Sequence, residues 1–385
     1  MSDIQSGLQF HFMIKPVGPL CNLNCKYCYY LCKQKYFQNN AVSDNSWIIS
    51  DELLESFVDQ YINGQARKEI NFTWQGGEPT LAGIEFFEKV IDLQKRYCPA
   101  DKRVTNELQT NGTLIDKEWC KFLRRHNFLV GLSIDGPQKI HDKYRYDKMG
   151  QSSFESVYNA AKLLNKYEID FNTLTVVNNI NAAKPLDVYK FLRNEIKSRY
   201  MQFIPCVERS DGSSIISEWS VEVEQYGDFL CKIFERWYRN DVGKVFVLNF
   251  EASLNRWMGR PSQICYNNEI CGKSLAIEHD GSVYSCDHFV YPENRLGNIM
   301  EKPILKLALS DKQVSFGVSK TNNLPEYCQK CSYLFACNGG CPKNRFIKTP
   351  DGEDGLNYLC KGFKKYFYYI DPYMKVLADK AGQYI

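Results

Sequence analysis

Short runs rich in β-branched and aromatic residues alternate along this chain with stretches whose apolar positions recur at i, i+3, i+4 and i+7. The strand candidates are FHFMIKP (10–16), INFTWQG (70–76), RVTNELQT (103–110), LVGLSID (129–135), FNTLTVV (171–177) and RYMQFIP (199–205). Between them lie amphipathic helical patterns such as SDELLESFVDQYI, with Ser50 as N-cap and Glu52 and Glu55 in its first turns. Six strands alternating with helices predict a parallel sheet, either a partial barrel or a doubly wound sheet. Ligands then gather at the carboxyl ends of the strands. After about residue 240 the alternation stops. SLAIEHDGSVYSCDHF reads as a hairpin turning at Asp280-Gly281, CQKCSYLFACNGGCPKN as loop, and 361–380 as an aromatic helical tail. No solenoid repeat or low-complexity segment interrupts the chain.

Composition narrows the class. A chain of 385 residues with 44% hydrophobic content builds a large core in two or three domains. The net charge of +3 comes from interspersed signs, which argues against a nucleic-acid tail and a polybasic membrane anchor; Lys361–Lys365 reads as solvated helix surface. The N-terminus MSDIQSGLQFHFMIKP lacks the pattern of a signal peptide, and no stretch reaches the roughly 18 apolar residues that span a bilayer. The expectation is a cytoplasmic protein with no membrane and no nucleic-acid partner. Sixteen cysteines in that compartment imply metal or redox chemistry rather than a disulfide framework.

Cys21, Cys25 and Cys28 form C-x3-C-x2-C. Residues four apart span at most about 14 Å when extended, so the three thiolates converge only if the loop curls round a common centre. A structural zinc takes four ligands, and a four-iron cluster normally takes four thiolates. Three would leave one iron open to an exogenous molecule. Cys32 lies beyond Tyr29-Tyr30-Leu31, outside the tight loop, and reads as an ordinary thiol. A second cysteine set follows: Cys265, Cys271, Cys286, Cys328, Cys331, Cys337, Cys341 and Cys360. Eight thiolates divide into two four-ligand sites, with two zinc sites as the bland alternative.

The first motif, with an aromatic residue before its last cysteine, resembles the radical S-adenosylmethionine (SAM) enzymes. WQGGEPTL resembles that family's Gly-Gly-Glu-Pro segment, whose paired glycines permit close backbone approach. The second cysteine set is similar to the SPASM domain of peptide-modifying members. The resemblance implies an α/β fold: a partial (β/α)6 TIM-like radical SAM barrel over 1–240, a cysteine-rich SPASM domain with two auxiliary clusters over 241–360, and a C-terminal helical tail over 361–385. It implies SAM and three [4Fe–4S] clusters as cofactors. The first cluster is held by Cys21, Cys25 and Cys28, the second by Cys265, Cys271, Cys286 and Cys341, and the third by Cys328, Cys331, Cys337 and Cys360. Cys32, Cys98, Cys120, Cys206 and Cys231 are left over, each in an apolar or helical context.

Along almost the whole chain, through QTNGTLID, LVGLSIDGP, HDKYR, SCDHF, LGNI, FACNGGCPKNRF and GLNYLCKG, the sequence resembles the anaerobic sulfatase-maturating enzymes. These oxidise a sulfatase cysteine or serine to Cα-formylglycine. An unactivated Cβ–H bond needs a cofactor-derived radical. The substrate radical then loses a proton to a base and an electron to a cluster. By resemblance Asp287 is that base, with His288 and His279 as rivals, and Tyr30 lies near the substrate. Tyr27, Gly77, Ser133, Arg145 and Val207 match SAM contacts, while Gln109 and Asn111 order the pocket. The implied partners are an unfolded or nascent sulfatase carrying Cys/Ser-x-Pro/Ala-x-Arg and an electron donor such as flavodoxin or ferredoxin. Two alternatives stand: a SPASM maturase that crosslinks a ribosomal peptide, and a non-enzymatic iron–sulfur carrier or zinc scaffold. Only 20 residues precede Cys21, where crosslinking maturases carry a leader-binding domain.

Overall fold

The computed structural model describes residues 10–37, 47–209 and 215–382. The N-terminal segment 1–9, where no signal peptide was read, and the last three residues of the tail lie outside them. In chain order the strands are β1 (His11–Ile14), β2 (Glu69–Trp74), β3 (Arg103–Thr110), β4 (Leu129–Ser133), β5 (Phe171–Val177), β6 (Tyr200–Pro205), β7 (Phe246–Val247), β8 (Ser274–Ile277), β9 (Ser282–Tyr284), β10 (Arg295–Asn298), β11 (Arg345–Ile347) and β12 (Leu356–Asn357). All six strands expected from the sequence form. They group into two compact units, each assembled from separated segments.

The first unit comprises Met1–Ser133, Tyr146–Phe171 and Gly272–Gly317. Its sheet runs β10-β9-β8-β1-β2-β3-β4. The β1–β4 ladder is parallel, and β8 adds in parallel to the other edge of β1, with Ile14 opposite Ile277. The expected hairpin is β8–β9. Gly281 turns it at φ +80°, and Asp280 Oδ1 accepts from the Ser282 N–H. The sequence suggested only a hairpin; its parallel docking on β1 makes it part of the first unit's sheet. The helix Asp51–Gly64 begins where expected, with Ser50 Oγ accepting the Leu53 N–H at 3.2 Å. Its buried stripe, Leu54, Phe57, Val58 and Tyr61, lies against β1 and β2. Phe12 meets Tyr61 edge-on at 5.5 Å, and Tyr61 meets Phe72 at 4.9 Å. Each such aromatic side chain removes 150–250 Å2 from water. This packing fixes the sheet from which the strand-end loops project.

The second unit comprises Ile134–Arg145, Asn172–Cys271 and Val318–Ile385. β5, β6 and β7 are parallel. The helix Val223–Asn240 packs on the C-terminal helix Cys360–Gly382. A Cβ on Gly362 would lie 2.2 Å from the Val223 carbonyl oxygen, so the two helices meet backbone to backbone where Gly227 and Gly362 face each other. The buried Asp241 carboxylate is satisfied here: it accepts from Tyr189 Oη and Arg193 Nε, each at 2.8 Å.

Candidate active site and cluster sites

The cysteine loop leaves β1 through a tight turn. Gly18 stands at φ +53°, the Gly18 N–H reaches the Lys15 carbonyl at 3.1 Å, and the Leu20 N–H reaches that of Val17 at 3.1 Å. The turn is clamped to the carboxyl end of β2. The Gly77 N–H donates to Gly18 O at 2.9 Å and the Glu78 N–H to Leu20 O at 2.8 Å. A Cβ on Gly77 would sit 1.9 Å from Leu20 O, so only glycine permits this approach. Glu78, fully buried, accepts from Thr80 Oγ1 and Thr110 Oγ1 at 2.6 Å each and from the Asn111 N–H at 2.7 Å. Asn111 Nδ2 in turn points at Cys21 Sγ, 3.8 Å away, and donates to Asn22 Oδ1 at 2.9 Å. The ends of β2 and β3 thus hold the loop's shape.

Burial, then the charges of Glu78, Cys25 and Cys28, push the Cys21 thiol up to about 12. The three sulfurs lie in one another's field, an arrangement that a bound cation relieves. Among the described residues, no three of His, Cys, Asp and Glu gather tightly enough to hold a single ion. Zinc, with sulfurs about 2.3 Å away, would require them about 3.8 Å from each other. A four-iron cluster binds each thiolate to a different iron and spreads them further. Three thiolates in one loop suit a four-iron cluster with one iron left open, where a structural zinc takes four ligands. Cys32 is exposed, its thiol turned to the Tyr29 carbonyl at 3.2 Å. Cys120, Cys206 and Cys231 are buried, Cys98 is half-buried, and Cys32 lies in the 3-10 turn Leu31–Tyr36, the apolar or helical settings expected of the spare thiols.

Beside this loop, Gln109 Nε2 donates to Ser133 Oγ at 3.0 Å, joining the ends of β3 and β4. Tyr27 is buried in the same unit. Arg145 and Val207, also buried, belong to the second unit. The Arg145 N–H caps a short turn at the His141 carbonyl, 3.1 Å away, and Val207 follows β6.

Asp287 opens a short turn directly after Cys286 and is buried. One carboxylate oxygen pairs with the Lys15 ammonium, and the other accepts from the Tyr29 hydroxyl. Lys15 is 1% exposed, just beyond β1. Its position follows from the β1–β8 register, since the Lys15 N–H continues the ladder to Ile277 O at 2.9 Å. Burial pushes the Asp287 carboxyl up, but Lys15, His288 and the Tyr29 hydrogen bond more than offset this, leaving it below its ordinary value. Tyr30 does not touch Asp287 with its hydroxyl; it donates to Glu278 Oε2 at 2.5 Å, and Lys15 Nζ stands 4.4 Å from its ring centre. Burial raises the Glu278 carboxyl to about 8 against the pull of Lys15 and Tyr30. One ammonium faces two carboxyls, and the protonated form of Glu278 balances the charge.

The rival bases sit differently. His279 packs between Trp47 and Phe37, with ring centres 5.1 and 5.4 Å away, and burial lowers its pKa. His288 lies 4.8 Å from the Tyr29 ring. Lys15, Tyr29, Glu278 and the keystone role of Glu78 were not singled out in the sequence. The one available signal was Lys15 itself, a charge at the end of an apolar strand.

In the second unit, Cys328, Cys331, Cys337 and Cys360 line one cavity together with Tyr327, Phe363 and Phe367. Cys265 feels the charges of Cys341 and Cys271. Cys286, grouped with these three by resemblance, belongs to the first unit.

Known proteins share this architecture. Residues 16–192 match the radical SAM superfamily and 265–332 an iron–sulfur cluster-binding domain. A serine-type anaerobic sulfatase-maturating enzyme of Bacteroides thetaiotaomicron is 47% identical over 384 residues, covering 96% of this chain and 91% of that protein. A cysteine-type counterpart from Clostridium perfringens is 38% identical, covering 95% and 98%. The solved structure of native anSMEcpe with AdoMet and the Kp18Cys peptide matches with TM-score 0.85 at 36% identity, over 96% of this chain and 99% of that one. The α/β fold, a radical SAM domain followed by a cysteine-rich SPASM domain, is therefore the one expected.

Proposed function

Because the chain belongs to the anaerobic sulfatase-maturating enzymes of the radical SAM superfamily, we propose that it oxidises a sulfatase cysteine or serine to Cα-formylglycine, using three [4Fe–4S] clusters and SAM. The alternatives of a crosslinking maturase and of a passive iron–sulfur carrier fall with that membership. The site reading rests on one observation: Asp287 is buried, fixed from two sides and adjacent in sequence to Cys286.

When bound, the reduced N-terminal cluster and SAM supply the carbon radical that removes one hydrogen atom from the substrate Cβ. The remaining steps fall to the chain. Asp287, kept ionised by Lys15, takes the proton from the substrate heteroatom. Tyr29 orients the carboxylate. Cys286, next to the base in sequence, would help hold a cluster that would supply an acceptor for the remaining electron. Cys21, Cys25 and Cys28 hold the first cluster, Cys265, Cys271, Cys286 and Cys341 the second, and Cys328, Cys331, Cys337 and Cys360 the third. Gly77, Tyr27, Ser133, Arg145 and Val207 receive SAM. Tyr30 acts through Glu278 and braces the base's surroundings. The domains divide at 1–240, 241–360 and 361–385. The partners are a sulfatase segment of Cys/Ser-x-Pro/Ala-x-Arg type and a flavodoxin- or ferredoxin-like donor. Among the described residues no helix is long and apolar enough to cross a membrane, and we place the enzyme in the cytoplasm.

The test is an anaerobic incubation with reductant, SAM and paired peptides carrying Cys or Ser in that motif, read by mass spectrometry. Loss of two hydrogens from serine, or replacement of the thiol by an aldehyde oxygen in the cysteine peptide, is expected. Asp287→Ala keeps its iron and forms 5′-deoxyadenosine but little aldehyde; wild-type aldehyde yield from that variant refutes the base assignment.

A further inference from the structure

Two cations in the second unit have no acidic partner among the described residues. Lys320 is 1% exposed, and its ammonium donates to the carbonyl oxygens of Asn268 and, at 3.1 Å, Tyr266. Both lie in the loop between Cys265 and Cys271. Arg345 is half-buried, and its guanidinium spends its donors on carbonyls alone. Nε reaches Gly339 O at 2.9 Å, Nη2 reaches Asn338 O at 2.8 Å and Gly340 O at 3.4 Å, and Nη1 reaches the carbonyl of Lys320 itself at 2.5 Å.

The loop between Cys337 and Cys341 is shaped for this grip. Asn338, Gly339 and Gly340 stand at φ +46°, +71° and +64°, three consecutive residues in the left-handed region. A Cβ on Gly339 would meet Arg345 Nη2 at 2.4 Å. The Asn338 side chain ties the loop to Asn267 O at 2.7 Å, two residues from Cys265. The two cations therefore bind the backbone of the loops that carry Cys265, Cys271, Cys337 and Cys341.

Carbonyl dipoles solvate a cation but do not neutralise it, and a buried charge without a counter-charge costs several kcal/mol. Arginine does not escape by losing its proton. The negative groups acting on Lys320 are Cys271, Cys337 and Cys265, and those on Arg345 are Cys328, Cys337, Cys271 and Cys341. Among the described residues, the acidic groups at hand for the compensating charge are those of the cysteine sites.

We propose that Lys320 and Arg345 are the fixed counter-charge of the auxiliary clusters and raise their reduction potentials. The proposal rests on the reading that clusters occupy both cysteine sets. Reduction adds one negative charge to a cluster, and nearby positive charge favours that form; net charge and hydrogen bonding are the protein's levers on such potentials. In the reaction above, the substrate radical is oxidised by one electron as its proton passes to Asp287, and the auxiliary cluster that receives the electron is reduced by one. The two cations make that transfer more favourable.

The experiment is an anaerobic redox titration of the reconstituted full-length enzyme, followed by electron paramagnetic resonance, with iron content measured alongside. Lys320→Met is expected to lower the reduced-to-oxidised ratio of an auxiliary cluster at fixed potential about tenfold, a shift of about 59 mV for one electron. Lys320→Arg is expected to restore it, and the SAM-site cluster to stay unchanged in both. A donor to the loop carbonyls with no electrostatic role would alter iron retention without moving the potential. Should Lys320→Met fail to take up iron, Lys320→Gln retains a donor and gives the same readout. Full iron content with unshifted potentials overturns the proposal alone. A wild-type chain that never assembles auxiliary clusters overturns the underlying reading and the proposal with it.

Discussion

Replacing Glu278 by glutamine keeps the side chain's shape and its acceptor for Tyr30 while removing its titration. The carboxyl is buried, 1% exposed, and one oxygen, Oε1, has no hydrogen-bond partner among the described residues. Burial carries its pKa from 4.5 to about 8, with Lys15 and Tyr30 pulling the other way. A folded-state value above the unfolded one means that the folded protein holds the proton more tightly. The resulting stabilisation is complete below about 4.5 and is lost as pH rises through about 8. Each pH unit inside that window changes it by about 1.36 kcal/mol. Between about pH 5.5 and 7.5 the wild type therefore loses about 2–3 kcal/mol that Glu278→Gln does not. For a folding unit of this size that is about 4–12 °C in melting temperature. Anaerobic thermal melts of both proteins across this range measure it: the two curves converge or cross as pH rises. Parallel curves would refute the claim that Glu278 is neutral in the fold, and with it the charge balance assigned to Lys15 and Asp287.

Lys15→Met leaves Asp287 buried without its cation and is expected to cost about 3–5 kcal/mol, read in the same melts; a loss under about 1 kcal/mol would mean that the pair is not formed. Glu78→Ala strands the Asn111 N–H and two threonine hydroxyls in a buried pocket, at about 1–3 kcal/mol for each unsatisfied group. Its expected signature is loss of SAM binding by equilibrium dialysis together with lowered stability. Gly77→Ala forces a methyl into the Leu20 carbonyl, which is backbone and cannot rotate away; iron content at the N-terminal site should fall while the auxiliary clusters remain, and full occupancy would show the clamp to be dispensable. Cys25→Ala should abolish 5′-deoxyadenosine formation and leave the auxiliary iron in place.

Much of this was legible in the chain because it depends on neighbours in sequence. The period-2 run FNTLTVV alternates buried and half-buried along β5, and Ser50 caps its helix because capping is decided within one turn. The cysteine spacings lie within a single loop, so C-x3-C-x2-C by itself raises the expectation of a cluster with an open iron. The hairpin at Asp280-Gly281 was equally local, since a left-handed turn needs its glycine in place.

What the chain alone did not disclose is how Asp287 is held. Tyr29 and Asp287 are 258 residues apart, and Tyr30 and Glu278 are 248 apart. No local pattern links them. They meet because β8 adds in parallel to β1, and a shift of one residue in that register would turn Lys15 and Glu278 to other faces. The resemblance implies a place near the substrate for Tyr30; the structure adds that its hydroxyl donates to Glu278, while that of Tyr29 donates to Asp287. The sequence by itself determined which atoms are reactive, because ligand type and spacing are written residue by residue. The tertiary structure decided their charge states, because burial and the distance to a counter-ion exist only once distant strands are paired.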